Sequence, residues 1–167
     1  MKKILESKKF YFLILLLCVV SLVSAVYIEY ILEQKPCKLC IYQRLPYLIA
    51  IFICFFGYNY SKNIMWMYLL ALTFILSTIL SGYHVGIENN IFNESSVCTN
   101  KNFDITDKSK LLESLKNNFI GCKEVNFRIV GLSLATINFM ISLLVTAICI
   151  LIIKNEKNKK KKNRRIY

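Results

Sequence analysis

The sequence predicts an all-α membrane protein: a four-transmembrane-helix bundle with a short amphipathic surface helix in its second outer loop. Three observations carry this expectation. Of the 167 residues, 56% are apolar, and the mean hydropathy is +0.47. The apolar residues gather in blocks instead of recurring at a helical or strand period. Four stretches contain no Asp, Glu, Lys or Arg: Phe10 to Ile28, Leu45 to Ser61, Ile64 to Ile87 and Ile129 to Ile153. A bilayer core of about 30 Å takes roughly 20 apolar residues as helix, so each stretch is read as one span of a single domain, residues 1–167.

Taken in order, the first helix is expected at about 10–32. A leader-peptide reading competes here, because Lys2, Lys3, an apolar run and Val23-Ser24-Ala25 resemble a signal with a small-residue cleavage site. The run is long for such a leader, and cleavage would leave the later loops on the same side. The second helix, about 37–59, holds the shortest uncharged block, which spans only if the helix begins near the cysteines. Pro36 suits the first turn of a helix beginning there. Helices three and four are expected at about 64–86 and 128–153, with outer loops at about 33–36 and 87–127. Within the longer loop, "ITDKSKLLESLKNNF" sets Leu111, Leu112, Leu115 and Phe119 on one helical face, which predicts the surface helix.

Charge orients the bundle. An even number of spans puts the N-terminus, the turn at Lys62 and the tail from residue 154 to 167 on one side. That side holds 13 of the 22 basic residues, opposed only by Glu6 and Glu156. The other side is close to neutral. The positive-inside rule makes the basic side cytoplasmic, so both loops face outward. The tail "KNEKNKKKKNRRIY" is read as a contact with anionic membrane lipid, not with nucleic acid, because it directly follows a span. No internal repeat or phosphate-binding glycine loop is present.

The seven cysteines divide by position. Cys18, Cys54 and Cys149 fall inside apolar blocks, where a thiol behaves as a small hydrophobe. Cys37, Cys40, Cys98 and Cys122 all fall outside, in a compartment where disulfides persist. A four-thiolate zinc site lacks its second CxxC and has basic surroundings, so no metal is expected. Cys98 and Cys122 enclose about 23 residues, a loop that a bracing disulfide would stabilise by roughly 3 kcal/mol. Bracing fails for Cys37 and Cys40, whose spacing closes almost no chain and suits redox exchange.

In "KPCKLCIYQRLPY", a helix start beside Lys35, Lys38 and Arg44 favours thiolates. Arg44 lies four residues beyond Cys40, deeper in the membrane, and is a candidate to hold a thiolate and to hydrogen-bond a membrane-soluble acceptor. With no haem, flavin or iron–sulfur signature, a lipid quinone, ubiquinone or menaquinone, is the simplest acceptor at that depth. His84 and Glu88 sit one turn apart at the outer end of helix three, in "SGYHVGIENN", and are candidates to border the quinone site or move protons. Alternatively they merely mark the interface.

These residues resemble the disulfide bond formation protein B (DsbB) family. The likeness runs over nearly the whole chain: four spans, "PCKLCIYQR" opening helix two, "GYHVGIE" ending helix three, a paired-cysteine loop and "GLSLATIN" in helix four. It implies a bacterial inner-membrane enzyme, a quinone-dependent protein-disulfide oxidoreductase that reoxidises a periplasmic DsbA-like thioredoxin-fold partner. Carried over, Cys98 takes the partner's attack, Cys122 passes reduction to Cys37, and Cys40 lies nearest quinone, with Arg44 polarising it. Gln43 stands where some members have glutamate, so an acid role there does not carry over. Two alternatives differ in class. A vitamin K epoxide reductase-like enzyme places its CxxC late, whereas here it is early. A non-catalytic four-span protein with structural disulfides needs neither Arg44 nor a CxxC.

Overall fold

A computed structural model describes residues 2–61, 63–93, 98, 122–123, 128–129 and 131–164. The surface helix expected around Leu111 to Phe119 lies outside the described residues. Among the described residues, five helices and one short hairpin follow in chain order: α1 (Lys2–Tyr30), α2 (Lys38–Tyr42), α3 (Leu45–Asn59), α4 (Met65–Glu88), β1 (Arg128–Ile129), β2 (Leu132–Ser133) and α5 (Leu134–Arg164). Among the described residues, four segments are long and apolar enough to cross a membrane: Lys8–Tyr30, Lys38–Asn59, Met65–Glu88 and Leu134–Asn158. The protein is a multi-pass membrane protein built as a four-span helical bundle.

The outer ends of the first and third spans close through left-handed residues. Glu33 (φ 52°) follows α1, where Gln34 N–H reaches back to the Ile28 carbonyl at 3.2 Å. Asn90 (φ 59°) follows α4, where the Ile91 and Phe92 N–H groups both return to Gly86. Such turns satisfy the last carbonyls of a helix.

The second span is interrupted. Pro46 stands in the first turn of α3, and it has no N–H to give the Tyr42 carbonyl, while its ring crowds that carbonyl. The chain answers with a turn at Gln43–Arg44, where Arg44 N–H bonds to Ile41 one residue short of the α-helical partner. Helix two was expected to run unbroken from the cysteines to residue 59. The break re-aims Gln43 and Arg44, and both face the cavity described below. Pro36 was expected inside the first turn; instead Cys37 is the N-cap of α2, and Pro36 precedes it.

The fourth span begins later than expected, at Leu134 instead of residue 128. Arg128–Ile129 pairs antiparallel with Leu132–Ser133 around Gly131, whose φ of +81° suits glycine. Ser133 then caps α5 by accepting from Thr136 N–H at 3.1 Å. At the other end α5 stays helical through the basic tail to Arg164, because lysine is a good helix former continuing an established helix.

α4 packs along α5, α1 along α3, and α3 against α4. The main core joins Tyr11 and Ile14 of α1, Tyr47, Ala50 and Ile53 of α3, Leu70 and Phe74 of α4, and Val145 of α5. Cys18, Cys54 and Cys149 are fully buried in this same core, as expected of structural thiols. Leucine, isoleucine and phenylalanine side chains elsewhere on the spans face outward, such as Leu13, Phe52, Leu76 and Leu144. Outside a bilayer that surface would be untenable; within one it is solvated by lipid.

Candidate functional site

A second buried cluster lies at the outer end of the bundle. It joins Cys37, Leu39, Ile87, Cys98 and Cys122, with Cys40, Leu80 and Tyr83 packed against it. All four cysteines singled out in the sequence therefore meet, although up to 85 residues separate them in the chain. Cys98 and Cys122 form a disulfide with Cα atoms 5.4 Å apart. Cys37 and Cys40 are free thiols whose sulfurs lie 2.7 Å apart. The Cys37 sulfur also accepts from the Cys40 main-chain N–H at 3.2 Å, as its N-cap position demands.

α4 contributes His84 to this cluster. Its Nε2 lies 3.6 Å from the Cys37 sulfur and 3.8 Å from Glu88 Oε1. Cys122 lines the same cavity as the His84 ring, which brings the loop disulfide to the site. Glu88 Oε2 accepts from the Ser133 hydroxyl at 2.5 Å, so the α5 N-cap positions the acid. Cys37 lies just outside the span, and its thiol is held well below the ordinary thiol range. The first cause is the hydrogen bond with the Cys40 thiol, against the opposing cost of burial, with the His84 ring adding to it.

Below the thiols opens a cavity of about 420 Å³, a size typical of small-molecule sites. α1 lines it with small and aliphatic residues, among them Ser21, Ser24, Ala25 and Ile28. α5 adds Ala135, Asn138 and Ile141. Its polar rim holds Cys37, Cys40, Gln43, Arg44, His84, Glu88 and Cys122. Thus Arg44, His84 and Glu88 all border one cavity together with the CxxC pair.

Arg44 has a partner that the sequence reading left out. Its Nη1 pairs with Glu29 Oε2 of α1 at 2.5 Å. Glu29 closes the first uncharged block, and an acid at the edge of a span was the signal available. Asn138 and Tyr47 were also passed over; both are polar side chains inside apolar blocks, which is the same signal. Gln43 is buried and bonded to His84 Nδ1 at 2.9 Å and to Asn138 at 3.0 Å.

The ligand atoms of Cys37, Cys40 and His84 lie within 4.8 Å of one another, a set that invites comparison with a soft-metal site. Two thiolates on one tetrahedral zinc stand roughly 3.8 Å apart. The sulfurs here are much closer, at 2.7 Å, which suits a dithiol poised to close on itself.

Residues 7–152 match the family described as disulfide bond formation protein DsbB. A relative, the uncharacterized protein RP370 of Rickettsia prowazekii (strain Madrid E), is 29% identical over 140 residues. That alignment covers 80% of this chain and 77% of the relative.

Proposed function

The chain belongs to the DsbB family of disulfide bond formation proteins, and from that premise we propose that it oxidises a periplasmic DsbA-like protein and passes the electrons to membrane quinone. One observation carries the reading. Both cysteine pairs converge in one buried cluster, and the inner pair borders an apolar cavity of about 420 Å³ within the bundle. A brace would need neither the second pair nor the cavity.

In this reading a reduced partner's thiolate attacks the Cys98 sulfur, and Cys122 leaves as a thiolate. The partner's second thiol resolves the mixed disulfide, so the partner departs oxidised and the loop pair stays reduced. Electrons pass inward when Cys122 attacks Cys37 of the oxidised inner pair and Cys40 leaves. Closing Cys98 back onto Cys122 then frees Cys37, and the inner pair holds two electrons and two protons. Lowered basicity of Cys37 makes it a good leaving group in that last step. Closure of the Cys37–Cys40 disulfide would pass those two electrons and two protons on to the acceptor.

The residues present fit a quinone. Ser21, Ser24 and Ala25 leave room for a ring beside α1, and Ile28 and Ile141 offer apolar walls. Arg44 and His84 supply N–H groups on the polar rim. When bound there, quinone supplies the two-electron acceptor that a dithiol lacks. Cys40 would face it, Arg44 would hold its carbonyl oxygen by charge-assisted hydrogen bonding, and Glu88 would receive or supply a proton through His84. The positive-inside charge pattern supports an inner-membrane orientation with both termini cytoplasmic and the four cysteines periplasmic.

The test is quinone reduction by purified protein in detergent, supplied with a reduced DsbA-like partner and either ubiquinone or menaquinone. Loss of turnover in Cys37→Ser, Cys40→Ser, Cys98→Ser and Cys122→Ser, with Cys18→Ser unaffected, establishes the relay. Turnover that survives loss of the loop pair would reduce Cys98–Cys122 to a brace. No reduction of either quinone by folded protein would sink the reading.

A further inference from the structure

A buried polar chain crosses three of the four spans and ends at His84. The Tyr47 hydroxyl donates to Asn138 Oδ1, and the Ser142 hydroxyl donates to the same oxygen at 3.4 Å. Asn138 Nδ2 then donates to Gln43 Oε1 at 3.0 Å, and Gln43 Nε2 meets His84 Nδ1 at 2.9 Å. Tyr47, Gln43, Ser142 and His84 are all buried, so water does not stand in for a lost partner.

A side-chain amide has one donor end and one acceptor end. Direction set at one end of the chain therefore propagates to the other. In the structure both hydroxyls donate to the Asn138 oxygen, and its amide hydrogens face Gln43. Gln43 must answer with its oxygen, leaving its own amide hydrogens for the His84 ring. A ring nitrogen that accepts from an amide carries no proton, so in the neutral ring the proton sits on Nε2. That nitrogen is the one 3.6 Å from the Cys37 sulfur and 3.8 Å from Glu88 Oε1.

We propose that Tyr47 and Asn138 are positioning residues that act through Gln43 to hold His84 as its Nε2–H tautomer, aiming a ring N–H at Cys37. Inverting Asn138 would invert Gln43, place the proton on Nδ1 and turn a bare Nε2 toward the thiol. The amide chain thus decides whether His84 gives a hydrogen bond to the Cys37 sulfur or takes its proton. The use made of the tautomer rests on the thiol-relay reading; the tautomer itself does not.

The sequence contains a single histidine, so isotopically labelled histidine reports His84 alone. Nitrogen NMR of the full-length protein in detergent near neutral pH, without quinone or partner, distinguishes a bare ring nitrogen from a protonated one. The expected result is a bare Nδ1 and a protonated Nε2. Asn138→Asp offers Gln43 only acceptor oxygens, which draws its amide hydrogens away from the ring; Nδ1 is expected to gain a proton although residue 138 does not touch the ring. Gln43→Glu is expected to do the same directly. A protonated Nδ1 in the unaltered protein overturns the proposal, and this needs no variant to fold. So does a bare Nδ1 persisting in both folded variants. An inactive protein with the expected spectrum upholds the tautomer lock while the oxidase reading fails; an active protein with a protonated Nδ1 sinks only the lock.

Discussion

Cys37 shows how one residue type acquires chemistry from its position. As N-cap of α2 its sulfur accepts from a main-chain N–H, and the Cys40 sulfur and the His84 ring lie beside it at 2.7 and 3.6 Å. Each interaction favours the anion, and together they outweigh burial. The folded pKa lies below the ordinary thiol value of about 8.5, so the thiolate persists as pH falls through that value and is lost only at lower pH. Alkylation of Cys37 in the reduced protein, followed by mass spectrometry across pH, is expected to stay fast at pH 6, where ordinary thiols react slowly. Cys40→Ala removes the foremost cause, and the profile is expected to move to higher pH. Reactivity at pH 6 then falls by roughly tenfold for each unit recovered. An unmoved profile would show that Cys40 does not activate Cys37.

The decisive element is the interrupted second span. Pro46 forces the turn at Gln43–Arg44, and that turn delivers Gln43 to His84 and Arg44 to Glu29. Pro46→Ala restores an N–H for the Tyr42 carbonyl, so the protein is expected to unfold no more easily in detergent. Partner-dependent quinone reduction is nevertheless expected to fall by about tenfold or more, since a 1 Å misplacement can cost about a hundredfold. Full activity in that variant would mean the break is incidental. α1 and α3 meet closely at Gly57, where an added Cβ would lie 2.6 Å from the buried Tyr11 ring. Gly57→Ala is therefore expected to destabilise the bundle by about 1–3 kcal/mol, read as a lower midpoint of unfolding in detergent. The apolar blocks announced four spans, yet the break in the second was not taken up, because Pro46 sits in a block that reads as continuous by hydropathy alone. The hairpin before α5 escaped for a similar reason: Leu132 and Leu134 extend the apolar block, while Gly131 and Ser133 set the true start.

At the scale of the whole molecule, charge and hydropathy act together. The basic ends gather on one face of the bundle, where anionic headgroups would hold them in the orientation we propose, and Lys8 and Lys157 stack over Tyr58 and Tyr68 near that face. The orientation we propose predicts that a green fluorescent protein fused after Tyr167 fluoresces. It also predicts that reduced Cys98 and Cys122 react with a membrane-impermeant maleimide in cells whose outer membrane has been permeabilised. A dark fusion with unlabelled loop cysteines would invert the topology and remove the loop pair from its partner.

The sequence by itself determined the four spans, the asymmetric charge and the division of seven cysteines into three buried in apolar blocks and four outside them. These are local properties: a bilayer selects on hydropathy and charge within each segment, and position relative to a span decides what a thiol meets. It also marked Arg44, His84 and Glu88 as costly residues to place at a membrane edge. Only the tertiary structure decided who their partners are. Glu29 lies 15 residues from Arg44, Gln43 lies 41 from His84, and Asn138 lies 95 from Gln43. Helix rotation and depth in the bundle set these pairings, and both depend on packing between segments, which no window along one chain contains.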